Sequence, residues 1–262
     1  MHFVRLGRGA PPLVFVHGFA CDHRDWQPQL DFFARTNEVV ACDLRGHGQT
    51  PGRPEECSIE HYGGDVAALV NNLELSQAIL VGHSMGTRVI LEAARLVPKR
   101  IAALVMLDGS RGAPAGEPQA AEAAAKAAID KVGYPAFAEN LFRQMFFQPS
   151  AEADAIVARA LRSSAQFGPA LYPRMVRWDA QHMDAALAAV RVPMLVIQST
   201  TRDANWNRAP LKPGDTTPYL DLLKEKIKQV KIEIVPDTGH FTMLEKPETV
   251  NRLIREFAAG GR

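Results

Sequence analysis

The chain has 262 residues, 47% of them hydrophobic, and a formal net charge of +1. That length buries a sizeable core as one domain with room for an inserted subdomain. The balanced charge leaves no electrostatic footprint for nucleic acid or an anionic membrane, no apolar stretch approaches the roughly 20 residues that cross a bilayer, and the N-terminus lacks the basic flank and apolar run of a signal peptide. Cys21, Cys42 and Cys57 are odd in number and share no metal-ligand spacing. They read as free packing thiols in a reducing compartment, which points to the cytoplasm.

In chain order, His2 to Leu6 reads as a short strand and Gly7 to Pro11 as the turn after it. Pro12 to Val16 is a continuous apolar run suited to a strand buried on both faces of a parallel sheet. It ends in His17-Gly18-Phe19, and Asp25 to Arg35 follows as a helix with Trp26, Leu30 and Phe33 on one stripe. Glu38 to Cys42 is the next strand and runs into the loop Asp43-Leu44-Arg45-Gly46-His47-Gly48. Ser58 caps a helix reaching Leu73. Gln77 to Val81 is a strand, Thr87 to Leu96 a helix and Ile101 to Leu107 another buried strand. The Gly- and Pro-rich stretch from Gly112 to Gly116 marks a boundary, after which helices are expected over Gln119 to Val132, Pro135 to Phe146, Ala151 to Ser163 and Pro169 to Trp178. The strand pattern returns at Val192 to Ile197 and Lys231 to Val235, with helices over Tyr219 to Gln229 and Pro247 to Ala259. Alternating strands and helices predict a mostly parallel α/β sheet flanked by helices. Residues 1–111 and 190–262 form its core, and residues 112–189 a helical cap over the strands' carboxyl ends.

Between the strand ending at Val81 and the helix opening at Thr87 stands Gly82-His83-Ser84-Met85-Gly86. A Gly-x-Ser-x-Gly turn between strand and helix lifts the serine hydroxyl clear of the sheet, while the glycines let the two backbones pass closely. Together with the His-Gly after Val16, the Asp43 to Gly48 loop and Gly239-His240-Phe241, in that order, this pattern resembles the α/β-hydrolase fold superfamily over nearly the full chain. The resemblance implies a hydrolase that takes a small-molecule substrate as its partner and needs neither cofactor nor metal. Ser84 matches the nucleophile, which is inert until a base takes its proton, and His240 matches that base, because imidazole titrates near neutrality. The amides of Phe19 and Met85 match the oxyanion donors of the family.

The acid that orients His240 has two candidates. Most of the family carries it in a Gly-x-x-Asp arrangement after the strand matching Val192 to Ile197. This chain reads Gln198-Ser199-Thr200-Thr201-Arg202-Asp203 there, without the glycine and with the carboxylate one residue late. A minority of the family places the acid one strand earlier, where Asp108 stands, and Asp108 is the first choice. The expected reaction is hydrolysis of a carboxylic ester or lactone of a hydrophobic substrate through an acyl-serine. Phe137, Phe142, Met145, Phe146, Phe147, Tyr172, Met175, Trp178 and Met183 of the inserted segment are candidate pocket lining, with most of them expected to pack between its helices and the sheet, and Asn205 to Pro218 is a candidate binding-site wall or surface loop. Two further readings use the same resemblance. Cofactor-free dioxygenases of this fold pair a histidine with an aspartate placed like Asp108, although Met85 stands where one of their substrate-lining histidines would be. A hydrolase fold can also serve as a non-catalytic small-molecule receptor.

Overall fold

The computed structural model describes residues 1–203 and 207–260. Strands β1 (Phe3–Leu6), β2 (Leu13–Val16) and β3 (Val39–Cys42) come first, with helix α1 (Gln27–Phe33) between β2 and β3. Helix α2 (Ile59–Asn72) leads to β4 (Ala78–His83), α3 (Met85–Leu96) and β5 (Ile101–Leu107). Four helices follow without an intervening strand: α4 (Pro118–Val132), α5 (Tyr134–Arg143), α6 (Ala151–Ser164) and α7 (Gly168–Ala188). The chain then returns through β6 (Met194–Gln198), a hairpin of β7 (Thr200–Arg202) and β8 (Arg208–Pro210), α8 (Pro218–Lys226), β9 (Val230–Ile234), α9 (Thr242–Glu245) and α10 (Pro247–Gly260).

The central sheet has the order β1-β3-β2-β4-β5-β6-β9, parallel throughout except for β1, which runs antiparallel to β3 at the edge. Apolar runs explain the interior strands. Leu13, Val14, Phe15 and Val16 are all fully buried, as a strand covered on both faces requires. Ser58 caps α2 as expected, its side chain accepting from the His61 amide. No helix among the described residues is long and apolar enough to cross a membrane, and Cys21, Cys42 and Cys57 are buried and unpaired.

Two elements differ from expectation. The last inserted helix does not stop at Trp178 but continues to Ala188, carrying Pro173 inside it. Trp178, Met183 and Leu187 keep an apolar face against the core beyond that point, and packing of that face sustains the helix despite the lost N–H. Within Asn205 to Pro218, expected as a binding-site wall or a surface loop, Arg208–Pro210 is strand β8 and pairs with β7 just ahead of that stretch, Thr201 opposite Ala209. Asn205 and Trp206, also named for that loop, lie outside the described residues.

The register of the sheet sets up the site. His83 pairs with Leu107 across β4 and β5, and the Ser84 amide donates to Leu107 O at 2.9 Å. One strand on, the Asp108 amide donates to Ile197 O at 2.8 Å. Ser84, Asp108 and Gln198 thus leave the sheet at one level of its carboxyl rim, where open α/β sheets hold ligands.

Candidate active site

Ser84 is the turn between β4 and α3, with φ 53° and ψ −113°. A non-glycine residue in this region is strained, and surrounding contacts must hold it. The glycines on either side supply them. A Cβ on Gly82 would stand 2.4 Å from Gly86 O, and one on Gly86 would stand 2.4 Å from Val16 O. Neither position has room for a side chain. Ser84 O accepts from the Thr87 hydroxyl at 2.6 Å and the Thr87 amide at 3.1 Å. The serine is half-buried. The loop after β2 lies against it, since a Cβ on Gly18 would meet Ser84 Cβ at 3.2 Å. Next to Gly18, Phe19 is buried under Phe142, Phe167 and Tyr172 of the inserted helices and their links. Among the described residues the Phe19 and Met85 amides donate to no carbonyl or side chain.

His240 sits in the loop between β9 and α9. Its amide donates to Met145 O at 2.6 Å, and its carbonyl accepts from His83 Nε2 at 2.9 Å. His83 therefore braces this loop from beneath, its ring 4.6 Å from the His240 ring. His240 Nδ1 faces Asp108 Oδ2 at 2.5 Å. The carboxylate can only accept, so the proton stands on Nδ1 and the lone pair on Nε2. Nε2 is buried and has no hydrogen-bond partner among the described residues. Burial lowers the imidazole pKa well below its ordinary value, and Arg208, Arg202 and Arg88 push the same way. The facing Asp108 carboxylate acts in the opposite sense.

Asp108 is wholly buried and collects donors from several elements. Its Oδ1 accepts from the amides of Ser199 and Thr200, each at 2.8 Å. Its Oδ2 accepts from the Thr200 hydroxyl at 2.5 Å and from Arg208 Nη1 at 3.2 Å besides His240. Asp203 is exposed at the hairpin turn, where its carboxylate accepts from Asn207, at 2.9 Å from the amide and 3.0 Å from the side chain. The fold therefore brings Asp108, not Asp203, to His240.

Several partners were not named from the sequence. His17 Nε2 accepts from the Leu44 amide and His47 Nε2 from the Ala20 amide, so both histidines staple the loops around Gly18. Burial lowers both pKa values, that of His47 to about 3. Asp43 Oδ1 accepts from the His23 ring and amide, and Oδ2 from the His2 ring and the Gln49 amide. These residues form a cluster of metal-type donors, but both carboxylate oxygens already serve as acceptors in this network, which ties the chain's start to the loop after β3.

A buried ion pair was also not named from the sequence. Arg88 of α3 is 2% exposed and grips Asp179 of α7, Nε to Oδ1 at 2.6 Å and Nη2 to Oδ2 at 2.7 Å. Arg88 also donates to Ser110 O at 2.7 Å, and the Gly112 amide to Asp179 at 2.6 Å. Asp179→Ala would leave Arg88 charged and buried without its partner. We expect a loss of about 3–5 kcal/mol in urea unfolding; a loss below about 1 kcal/mol would mean that water replaces the carboxylate.

Two cavities flank this region. One, of about 350 Å³, lies among α4, α5 and α7 and is lined by Phe137, Leu141, Tyr172 and Val176 with Ala121, Ala124, Ala125 and Ala128. Of the residues expected to line a pocket, Phe137 and Tyr172 do so here, whereas Phe142, Met145, Met175, Trp178 and Met183 are buried in packing, Phe146 stacks on Phe241 and Phe147 is exposed. The other cavity adjoins Asp108 and is described below.

A family model described as "Alpha/beta hydrolase family" matches residues 13–253. The AB hydrolase superfamily protein YisY of Bacillus subtilis is 25% identical, over 97% of this chain and 93% of that protein. A solved thermophilic esterase of Thermogutta terrifontis superposes with a TM-score of 0.80 at 26% identity, covering 99% of this chain and 93% of that one. The match to the dihydrolipoyllysine-residue acetyltransferase component of the acetoin cleaving system of Pseudomonas putida is 38% identical, but spans only 38% of this chain and 27% of that protein. With a family match over nearly its whole length, the expected mostly parallel sheet and a serine on a strained strand-to-helix turn, the chain belongs to the alpha/beta hydrolase family.

Proposed function

We propose that the protein is a serine hydrolase that cleaves carboxylic esters or lactones of small to medium hydrophobic substrates. Ser84 is its nucleophile, His240 its base and Asp108 the acid that orients the base. One observation carries this reading: a buried imidazole is held through Nδ1 by a carboxylate, with Nε2 left unpartnered, at the same sheet rim as a half-buried serine on a strained turn.

In this mechanism Nε2 takes the Ser84 proton as Oγ attacks the substrate carbonyl. The negative oxygen that forms is held by the amides of Phe19 and Met85. The imidazolium, stabilised by Asp108, returns its proton to the leaving alcohol, and water then releases the acid from Ser84 by the same steps in reverse roles. We further propose that residues 112–189 act as a cap. The Met145 carbonyl bonded to His240, and the rings of Phe142 and Tyr172 packed on Phe19, support that role. The alanine-walled cavity is the proposed place for an apolar acyl or ring group.

A fluorophosphonate probe tests the reading directly. Intact-mass and peptide analysis are expected to find one adduct, on Ser84, with parallel loss of p-nitrophenyl ester turnover. An unlabelled Ser84 in protein that still turns over these esters would overturn the assignment.

A further inference from the structure

The second cavity, of about 330 Å³, lies between the loop after β5, the β7–β8 hairpin and the first turn of α8. Arg111, Arg202 and Arg208 line it, together with the hydroxyl side chains of Ser110, Thr201 and Thr217. Among its described lining residues there is no aspartate or glutamate. From outside the lining, Asp184 reaches Arg111 at 2.6 Å and Asp108 reaches Arg208 at 3.2 Å, and Arg202 is likewise engaged.

Arg208 is the informative member. Its side chain is 4% exposed, and Nη1 serves both Asp108 and the Thr200 hydroxyl. Among the described residues its Nε and Nη2 donate to nothing. A buried guanidinium with unused donors bears a desolvation cost that a bound acceptor would offset. Its planar fork suits a two-oxygen partner. Helix α8 begins at the same wall, with Thr217 capping the Leu220 amide, so the positive end of its dipole adds to the field.

We propose that this arginine-walled cavity is a binding site for a small oxyanion, a carboxylate or phosphate group. The anion comes from one of two sources, either free in solution or carried by the substrate. The site also has a route to the chemistry. Arg208 contacts the oxygen of Asp108 that holds His240. The charged and titratable groups around His240 are Asp108 from the end of β5, Arg208 and Arg202 from the hairpin, Arg88 from α3 and His83 from β4. An anion seated on Arg208 and Arg202 offsets two of the positive charges that disfavour the imidazolium. Occupancy therefore raises the pH at which His240 protonates. This coupling rests on the proposed triad; the binding itself does not.

Calorimetric titration of inorganic phosphate, and separately malonate, into the full-length protein tests the site. Saturable binding to one site is expected. It should weaken about tenfold or more in Arg202→Gln, as the loss of one charge-assisted contact implies, and disappear in Thr201→Glu, which adds a carboxylate to the wall. No saturable heat, or unchanged affinity in both folded variants, overturns the proposal.

Ester kinetics at constant ionic strength then identify the source. If the anion is free, phosphate moves the acid limb of kcat/KM upward for p-nitrophenyl acetate and mono-p-nitrophenyl succinate alike. If the substrate carries it, phosphate competes only with the succinate ester, and Arg202→Gln raises KM for that ester alone. Should no ester be hydrolysed, calorimetry still decides the anion site while the hydrolase reading falls.

Discussion

Ser84→Ala is expected to lower kcat/KM for any ester the protein hydrolyses by about a million-fold, as removal of a nucleophile does in enzymes of this logic. The fold is expected to survive. The bonds that hold the elbow use the backbone of residue 84: its amide donates to Leu107, and its carbonyl accepts from Thr87 and Arg88. Alanine carries the same Cβ, so the strain at φ 53° is unchanged. Among the described residues the Ser84 hydroxyl donates to no other group, and its loss orphans nothing. The two observables therefore separate, with turnover collapsing while the thermal midpoint stays within a few degrees. A folded Ser84→Ala protein that retains more than a few per cent of its turnover would sink the acyl-serine mechanism.

Asp108→Asn is expected to cost about ten-thousand-fold in kcat. Two backbone amides point at Oδ1, so the asparagine oxygen settles there and its NH2 group takes the place of Oδ2. That group then faces His240 Nδ1 and Arg208 Nη1, donor against donor. The imidazole escapes the clash by moving its proton to Nε2, the nitrogen that has to accept from Ser84. Arg208 meanwhile loses a charge partner, so a lower unfolding midpoint accompanies the loss of rate. Asp203→Asn is the control. That residue is exposed and its described bonds stay within the hairpin turn, so turnover is expected within about twofold of wild type. The opposite result, with Asp203→Asn inactive and Asp108→Asn active, would reassign the acid.

The elbow was legible because its signal is local: two glycines, a serine between them, an apolar run before and a helix after. Asp108 was singled out by the resemblance, which has an acid just past this strand, and the strand's end brings it to the sheet's rim beside His240. What remained hidden was set by distant partners. Nothing near Arg88 announces Asp179, which stands 91 residues away in the chain, or that both would be buried. Arg208 reaches Asp108 across 100 residues and reads in isolation as an ordinary surface cation. The β7–β8 hairpin has no alternation of apolar and polar residues and includes Pro210, so only its pairing and the packing around Thr200 identify it as a strand pair. In α7, Pro173 argues against a long helix, and burial of its far half decides otherwise.

The contrast between the tight backbone around Ser84 and the wall of the apolar cavity has a consequence for how this scaffold can diversify. At Gly82 and Gly86 there is no space for even one added carbon, so variation there is closed off. Around the cavity in the inserted helices the reverse holds. Ala121, Ala124, Ala125 and Ala128 present the smallest side chains with a Cβ to an open volume, and each can grow into it without moving a strand. On the proposed reading, in which this cavity takes the acyl or ring group, its length and branching would be adjustable one methylene at a time from a single helix, leaving Ser84 and His240 where they are. Selectivity and reactivity would then occupy different stretches of chain, and the first could drift while the second stays still.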